Sequence, residues 1–373
     1  MEYRFAEAED MEQVETLWDY CFEKKEEPFF QYYFSQYNGK ENRVYGAFQK
    51  TETGEKLQSM VHLNPYTVRI NGQWVEIPYL VGVATAQEAR GHHLMGKMLQ
   101  HLLAEPEIAQ LPFVFLMPIN AGIYLPYDFA YTHYRHEYKL PLKALEELPD
   151  AKGIQVEKLE LSLGAKGLLG PLYESLTDQY NGVNQRGFKQ WQKLLTVCLQ
   201  ENMQLAVASC ETAKAGYMLY HQAEACLEIF ELLASGSEVR NALLKQAAKA
   251  AAEQGLTQIH WLAPMEDKLY LNFRDQANTG SLVPFMMFRV VNRDAAIKLC
   301  VAGEQSAGTV GQALRQIFDQ EQLPMASLAQ LLLGTFTASE LQEAGAIKVK
   351  NAETLKQLDA CFPKQRNWIN EYF

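Results

Sequence analysis

Six cysteines, none of them in a CxxC pair, are all this chain offers to a disulfide or a zinc ion. Scattered as Cys21, Cys198, Cys210, Cys226, Cys300 and Cys361, they read as reduced, mostly buried thiols of a cytoplasmic protein. His133 and His136 form a lone HxxH without an HExxH context or a nearby cysteine. That is the pattern of a surface or strand pair, and no metal is expected. Neither a complete GxxxxGK[ST] nor a GxGxxG is present, so neither a P-loop nor a dinucleotide fingerprint is available. No apolar run reaches the roughly 20 residues that span a bilayer, and the N-terminal MEYRFAEAEDMEQ has neither the basic start nor the apolar core of a secretory leader. No membrane partner is expected. Basic charge is also short: 34 Lys and Arg stand against 45 Asp and Glu, a net charge of −11 that argues against a nucleic-acid partner and favours cationic or neutral ligands.

What is present is ample core. Of 373 residues, 48% are hydrophobic and 21% charged, enough for two or three folded domains and too apolar for disorder. In order, the pattern predicts a strand at Tyr3–Phe5, a helix over Asp10–Cys21 (Met11, Val14, Leu17, Trp18, Cys21) and a second helix through FFQYYFSQY at 29–37. Strands follow at Val44–Phe48 and Leu57–Leu63, then a hairpin about Asn71-Gly72. An apolar run at Tyr79–Ala84 leads into a short polar loop with Arg90 and Gly91, a helix carrying Leu94, Met95, Met98, Leu99, Leu102 and Leu103, and another apolar run at Phe113–Met117. Strand, Arg-Gly loop, helix and strand is a layout that aims backbone N–H groups at an anion, usually a pyrophosphate. A strand at Tyr134–Leu140 closes this part.

Residues 143–152 read as a linker, and beyond them the chain repeats itself. A shift of 146 residues carries Pro118 onto Pro264 and Tyr124 onto Tyr270. It also moves the strand Tyr79–Thr85 onto Ala225–Glu231 and the next helix onto Arg240–Glu253. This is a degenerate internal duplication. The second copy has Gly236-Ser237-Glu238-Val239 in place of Arg90-Gly91-His92-His93, and Glu238 would repel a pyrophosphate. The organisation expected is therefore an α/β (α+β) fold with mixed sheets: a catalytic domain over 1–142, a degenerate copy over 153–285, and a small α+β domain over 286–373. In the last, MMFRVVN is a strand, Arg293–Cys300, Gly308–Phe318, Met325–Leu333 and Ser339–Ala344 are helices, Ala346–Val349 is a short strand, and a helix precedes the tail.

Val81 and Val83 followed by Arg90-Gly91-His92-His93-Leu94-Met95 resemble the acetyl-coenzyme A signature of GNAT-type N-acetyltransferases. The phrases LNPY, YLVGVAT and FLMPxxxxIYLPYDF resemble one branch, the enhanced intracellular survival (Eis) acetyltransferases. The likeness is strong over 1–140, looser afterwards, and returns at the last residues. It implies tandem GNAT-like copies with one dead, a sterol-carrier-like C-terminal domain that looks shortened here, acetyl-CoA as co-substrate, and a homo-oligomer, trimer or hexamer. Two positions depart from the pattern: His93 replaces a Gly, and Met95 replaces a Gly or Ala.

Acetyl transfer from a thioester to an amine needs a held donor, a neutral amine, an oxyanion sink and a proton for the departing thiolate. A splayed Val81–Thr85 can offer backbone groups to the donor's amide-rich arm, with the N–H of Val83 or Ala84 as oxyanion donor; an ordinary buried strand has the same residues. Arg90 and the N–H groups of Gly91, His92, His93, Leu94 and Met95 would hold the pyrophosphate, with the His93 imidazole turned outward. Asn120 is a candidate contact to donor or acceptor. The resemblance makes Tyr124 the general acid; otherwise it caps the sheet. It also makes the carboxylate of the terminal Phe373 the general base, against the alternative that WINEYF packs for stability alone. The expected activity is N-acetylation of a small cationic or lysine-type amine by direct attack in a ternary complex, since the signature holds no nucleophile. The rivals are a non-catalytic acyl-CoA binder or sensor and an aminoacyl-tRNA-dependent transferase. The missing basic patch disfavours the second.

Overall fold

The structure, a computed structural model, describes all residues except 38–41, 53, 302–313, 315, 316, 319, 321, 322 and 373. The chain forms two compact units. The first comprises Met1–Thr132, Phe285–Gln365 and Glu371–Phe373; the second comprises His133–Pro284 and Arg366–Asn370.

In the first unit the strands β1 (Glu2–Phe5), β2 (Arg43–Thr51), β3 (Gly54–Ile70), β4 (Gln73–Thr85) and β5 (Phe113–Leu116) lie in sequence order, followed by β12 (Ser281–Val290). The first four are joined antiparallel, β4 and β5 are parallel, and β12 returns antiparallel to β5. Asn71 and Gly72 make the turn between β3 and β4, both with positive φ, as a two-residue hairpin requires. Three helices pack on this sheet: α1 (Met11–Cys21), α2 (Pro28–Tyr37) and α3 (Leu94–Ala104). Their apolar stripes enter one core with Val14, Trp18, Tyr33, Met98, Leu99, Leu102, Val114 and Tyr124. The aromatics of FFQYYFSQY are mostly core, with Phe30, Tyr33 and Phe34 all buried.

The second unit orders its strands β6 (Ala130–Pro141), β11 (Gln258–Pro264), β10 (Leu227–Ala234), β9 (Ala213–Gln222), β8 (Gln204–Cys210) and β7 (Ile154–Leu159). Helices α5 (Lys166–Thr177), α6 (Phe188–Gln200) and α7 (Ser237–Glu253) cover it. Antiparallel strands, then β10, α7 and a parallel β11 repeat the plan of β4, α3 and β5. The segment read as a linker instead starts with a short helix, α4 (Leu142–Glu146), because Ala144 and Leu145 have core to enter.

Further helices of the first unit among the described residues are α8 (Arg293–Cys300), α9 (Met325–Leu332), α10 (Ala338–Glu343) and α11 (Ala352–Cys361). The helix expected at Gly308–Phe318 lies largely outside the described residues. Ala346–Val349 is not a strand. Its alternation is real, with Ile347 and Val349 buried, but a strand also needs a partner ladder.

Candidate active site

The centre of the first unit is an irregularity in β4. Met60 of β3 faces Ala84 and His62 faces Val81, so Gly82 and Val83 together oppose the single residue Val61. Such a bulge bends its strand and releases groups from the ladder. Gly82 has φ +58, and a Cβ there would lie 2.4 Å from the Trp18 ring, so no other residue fits. On the other edge, β4 and β5 are in register only at Tyr79–Phe115, whose rings stack at 4.7 Å. Beyond that point two parallel strands part, the place where α/β sheets accept ligands. Val81, Val83 and Thr85 are half-buried there, and Ala84 is buried, its carbonyl accepting the Ser59 hydroxyl at 2.8 Å.

The loop that follows makes one 3-10 turn (Gln87–Ala89) and reaches α3 through the exposed run Arg90, Gly91, His92 and His93. His93 is the N-cap of α3 in a left-handed conformation, φ 54 and ψ 28, and no side chain caps the helix. Lys97 N–H makes the first helical bond, to His93 O, which leaves the N–H groups of Leu94, Met95 and Gly96 without helical partners. This is a helix start able to receive an anion. Arg90 does not point along the helix start. Its Nε donates to Thr85 O at 3.1 Å and its Nη2 approaches Cys21 Sγ at 3.7 Å, bracing the loop against α1.

Beyond β5, Asn120 Oδ1 accepts Gly122 N–H at 2.9 Å and so caps the turn carrying Tyr124. Tyr124 is buried at 6% exposure, edge-on to Phe129, and burial pushes its phenol up to about 12. The tail also arrives in this unit. Tyr79 Oη donates to Tyr372 O at 3.3 Å, and the Tyr372 ring packs edge-on against Phe285. The penultimate residue is thus held at the point where β4 and β5 separate. Phe373 lies outside the described residues.

Two features here went unread in the sequence. The Tyr127 hydroxyl rests on Gly96, where a Cβ would meet it at 1.6 Å. Gly96 is the second small residue of GHHLMG, and only the fold pairs it with a tyrosine 31 positions on. Under the bulge sits a buried polar cluster: His62 Nδ1 lies 3.2 Å from both Tyr33 Oη and Asn42 Nδ2, and Tyr33 Oη donates to Asn64 Oδ1. Burial pulls the His62 imidazole down to about 3, so it is neutral at physiological pH. Among the described residues no group of three or more metal-binding side chains assembles, and no helix is long and apolar enough to cross a membrane.

The part of the chain that holds this site has the fold of a GNAT acetyltransferase domain. Residues 2–132 match the acetyltransferase (GNAT) domain family, and residues 269–370 match the sterol carrier protein domain family. No curated protein matches the chain. Among solved structures it is similar to a conserved protein of unknown function from Enterococcus faecalis, described as a probable N-acyltransferase (TM-score 0.78, 18% identity). It is also similar to a GCN5-related N-acetyltransferase from Anabaena variabilis (0.78, 17%) and to Eis from Mycobacterium abscessus (0.73, 14%). Each likeness covers 100% of both chains. At such identity the likeness is one of fold.

Proposed function

We propose that the chain is an acetyl-CoA-dependent N-acetyltransferase whose acceptor is a primary amine on a small cationic or lysine-type molecule. The observation that carries this reading is the parting of β4 from β5 beyond Tyr79, beside an uncapped start of α3. The donor's diphosphate fits over the N–H groups of Leu94, Met95 and Gly96, with Gly91, His92 and His93 at the rim. Its amide arm fits along Val81–Thr85, and the N–H of Val83 or Ala84 faces the thioester oxygen. Arg90 serves as a brace for this loop and, with its side chain swung out, as a phosphate ligand. Asn120 contributes by holding the Tyr124 turn.

The amine attacks the thioester carbon, the C–S bond breaks, and one proton from nitrogen ends on sulfur. Tyr124 stays protonated across the physiological range, as a donor to the departing sulfur must. Full transfer from a phenol at about 12 to a thiolate whose acid has a pKa of about 8.5 is uphill. Its hydroxyl therefore donates to sulfur while passing on the proton that nitrogen gives up. Before attack, the terminal carboxylate of Phe373 takes the extra proton of the ammonium, directly or through water, and passes it to solvent, leaving the neutral amine. A net charge of −11 suits a cationic acceptor. A reduced, cytoplasmic setting and a homo-oligomeric trimer or hexamer complete the reading.

Release of free thiol from acetyl-CoA tests it, measured across polyamines, aminoglycosides and lysine peptides. Amine-dependent release is expected. Tight donor binding without release for any amine would favour the acyl-CoA sensor instead.

A further inference from the structure

The turn that carries Tyr124 holds a second tyrosine, to which the chemistry above gives no part. A 3-10 turn over Leu125–Tyr127 closes with Tyr127 N–H donating to Tyr124 O at 2.9 Å and Asp128 N–H to Leu125 O at 3.2 Å. Asp128 ends it with φ 63, and Arg289 of β12 fixes it from the side, its Nε donating to Tyr127 O at 2.7 Å. Tyr127 is thus held by its backbone while its ring reaches from the turn to α3. There the end of the phenol, Cζ and hydroxyl, fills the space of the missing side chain of Gly96. A Cα–Cβ bond in a helix tilts toward the N-terminus. A group standing in the place of a Cβ at the third residue of α3 therefore stands beside the opening turn. Its neighbours are the N–H groups of Leu94, Met95 and Gly96, which have no helical partner.

Packing alone does not account for the pair. The half-buried ring joins the edge of this unit's core, and a phenylalanine would fill the same space. What tyrosine adds is the hydroxyl, and that hydroxyl makes no hydrogen bond to any described residue. Gly96 points the same way. Glycine is a poor helix former, and at this position it leaves open a space that any Cβ would close against the phenol. One O–H beside three N–H groups places four donors around one point, and no acceptor from the chain lies among them. Such a set suits the oxygens of a phosphate better than those of a neutral amide.

We propose that Tyr127 is a donor-binding residue whose hydroxyl gives a hydrogen bond to the diphosphate of acetyl-CoA at the start of α3. The inference rests on the diphosphate lying over that turn, and the test separates the two. Tyr127→Phe keeps the ring on Gly96 and removes the O–H. Parent and variant are compared by calorimetric Kd for acetyl-CoA and for its 3′-dephosphorylated form, by kcat, and by melting temperature. Both Kd values are expected to rise about 10-fold, as loss of one hydrogen bond to a charged group does, with kcat and melting temperature unchanged. S-acetylpantetheine has the thioester and the amide arm without the diphosphate, so its kcat/KM should be the same for both proteins. A variant that binds acetyl-CoA as tightly as the parent would overturn the role of Tyr127 and leave the donor seat in place. Weakening confined to the donor with the 3′-phosphate, or equal loss with S-acetylpantetheine, would overturn the contact to the diphosphate. A parent that binds neither form of the donor would remove the seat, and the role of Tyr127 with it.

Discussion

Tyr124 and His62 show how burial sets chemistry at single residues. Tyr124→Phe removes a donor and little packing, so kcat is expected to fall about 100-fold or more while KM for acetyl-CoA and the melting temperature hold; the thiol-release rate checks this. His62 affects stability. Its imidazole binds no proton in the folded state until about pH 3, whereas the unfolded chain takes one near 6.5. Between these values the unfolded state holds the extra proton, so stability falls as pH drops, by about 1.4 kcal/mol per unit for this group. Urea unfolding at pH 7, 6 and 5 should show that slope reduced in His62→Gln. Tyr124 was picked out through the family resemblance, whereas the role of His62 could not be read from the sequence. The partners of His62 (Tyr33, Asn42 and Asn64) lie on three elements, and no local pattern brings them together.

Among the elements, the turn into α3 is where local preference and function collide. The sequence marks His93 as a departure from a Gly, a residue whose missing side chain lets backbone approach a phosphate closely. The structure adds a second reason, a left-handed backbone, which costs a non-glycine residue about 1 kcal/mol. His93→Gly is therefore expected to raise stability by roughly that amount, less the extra freedom Gly gives the unfolded chain, and denaturant midpoints will show it. Helices and strands with a clear period were legible: α1, α2, α3, the Asn71-Gly72 hairpin and β10–α7–β11 stand where the pattern put them. The β4 bulge was not, because Val81–Thr85 reads the same whether flat or kinked. Only the ring of Trp18 lying on Gly82 fixes the kink. Arg90 could be picked out by type and place, but its rotamer, turned back on Thr85, is set by α1.

At the scale of the whole molecule, the plan of β4, α3 and β5 recurs as β10, α7 and β11. Arg186→Met should destabilise by about 3–5 kcal/mol, because Glu231 is left charged and buried with one partner gone. Burial alone would raise the Glu231 carboxyl, and the charge of Arg186 with hydrogen bonds from Arg186, Tyr217 and Asn370 more than offsets it. The stabilisation is thus complete above the ordinary glutamate range near 4.5 and is lost as pH falls through the lower folded value, so the variant's deficit, read from calorimetric melts, should shrink in acid. The central claim is that the first cleft seats an acyl donor over the opening turn of α3. Titration calorimetry of acetyl-CoA into the intact chain, beside His93→Gly, tests it most directly. The account predicts one donor per chain, bound at least as tightly by the glycine variant; no heat from either protein would contradict it.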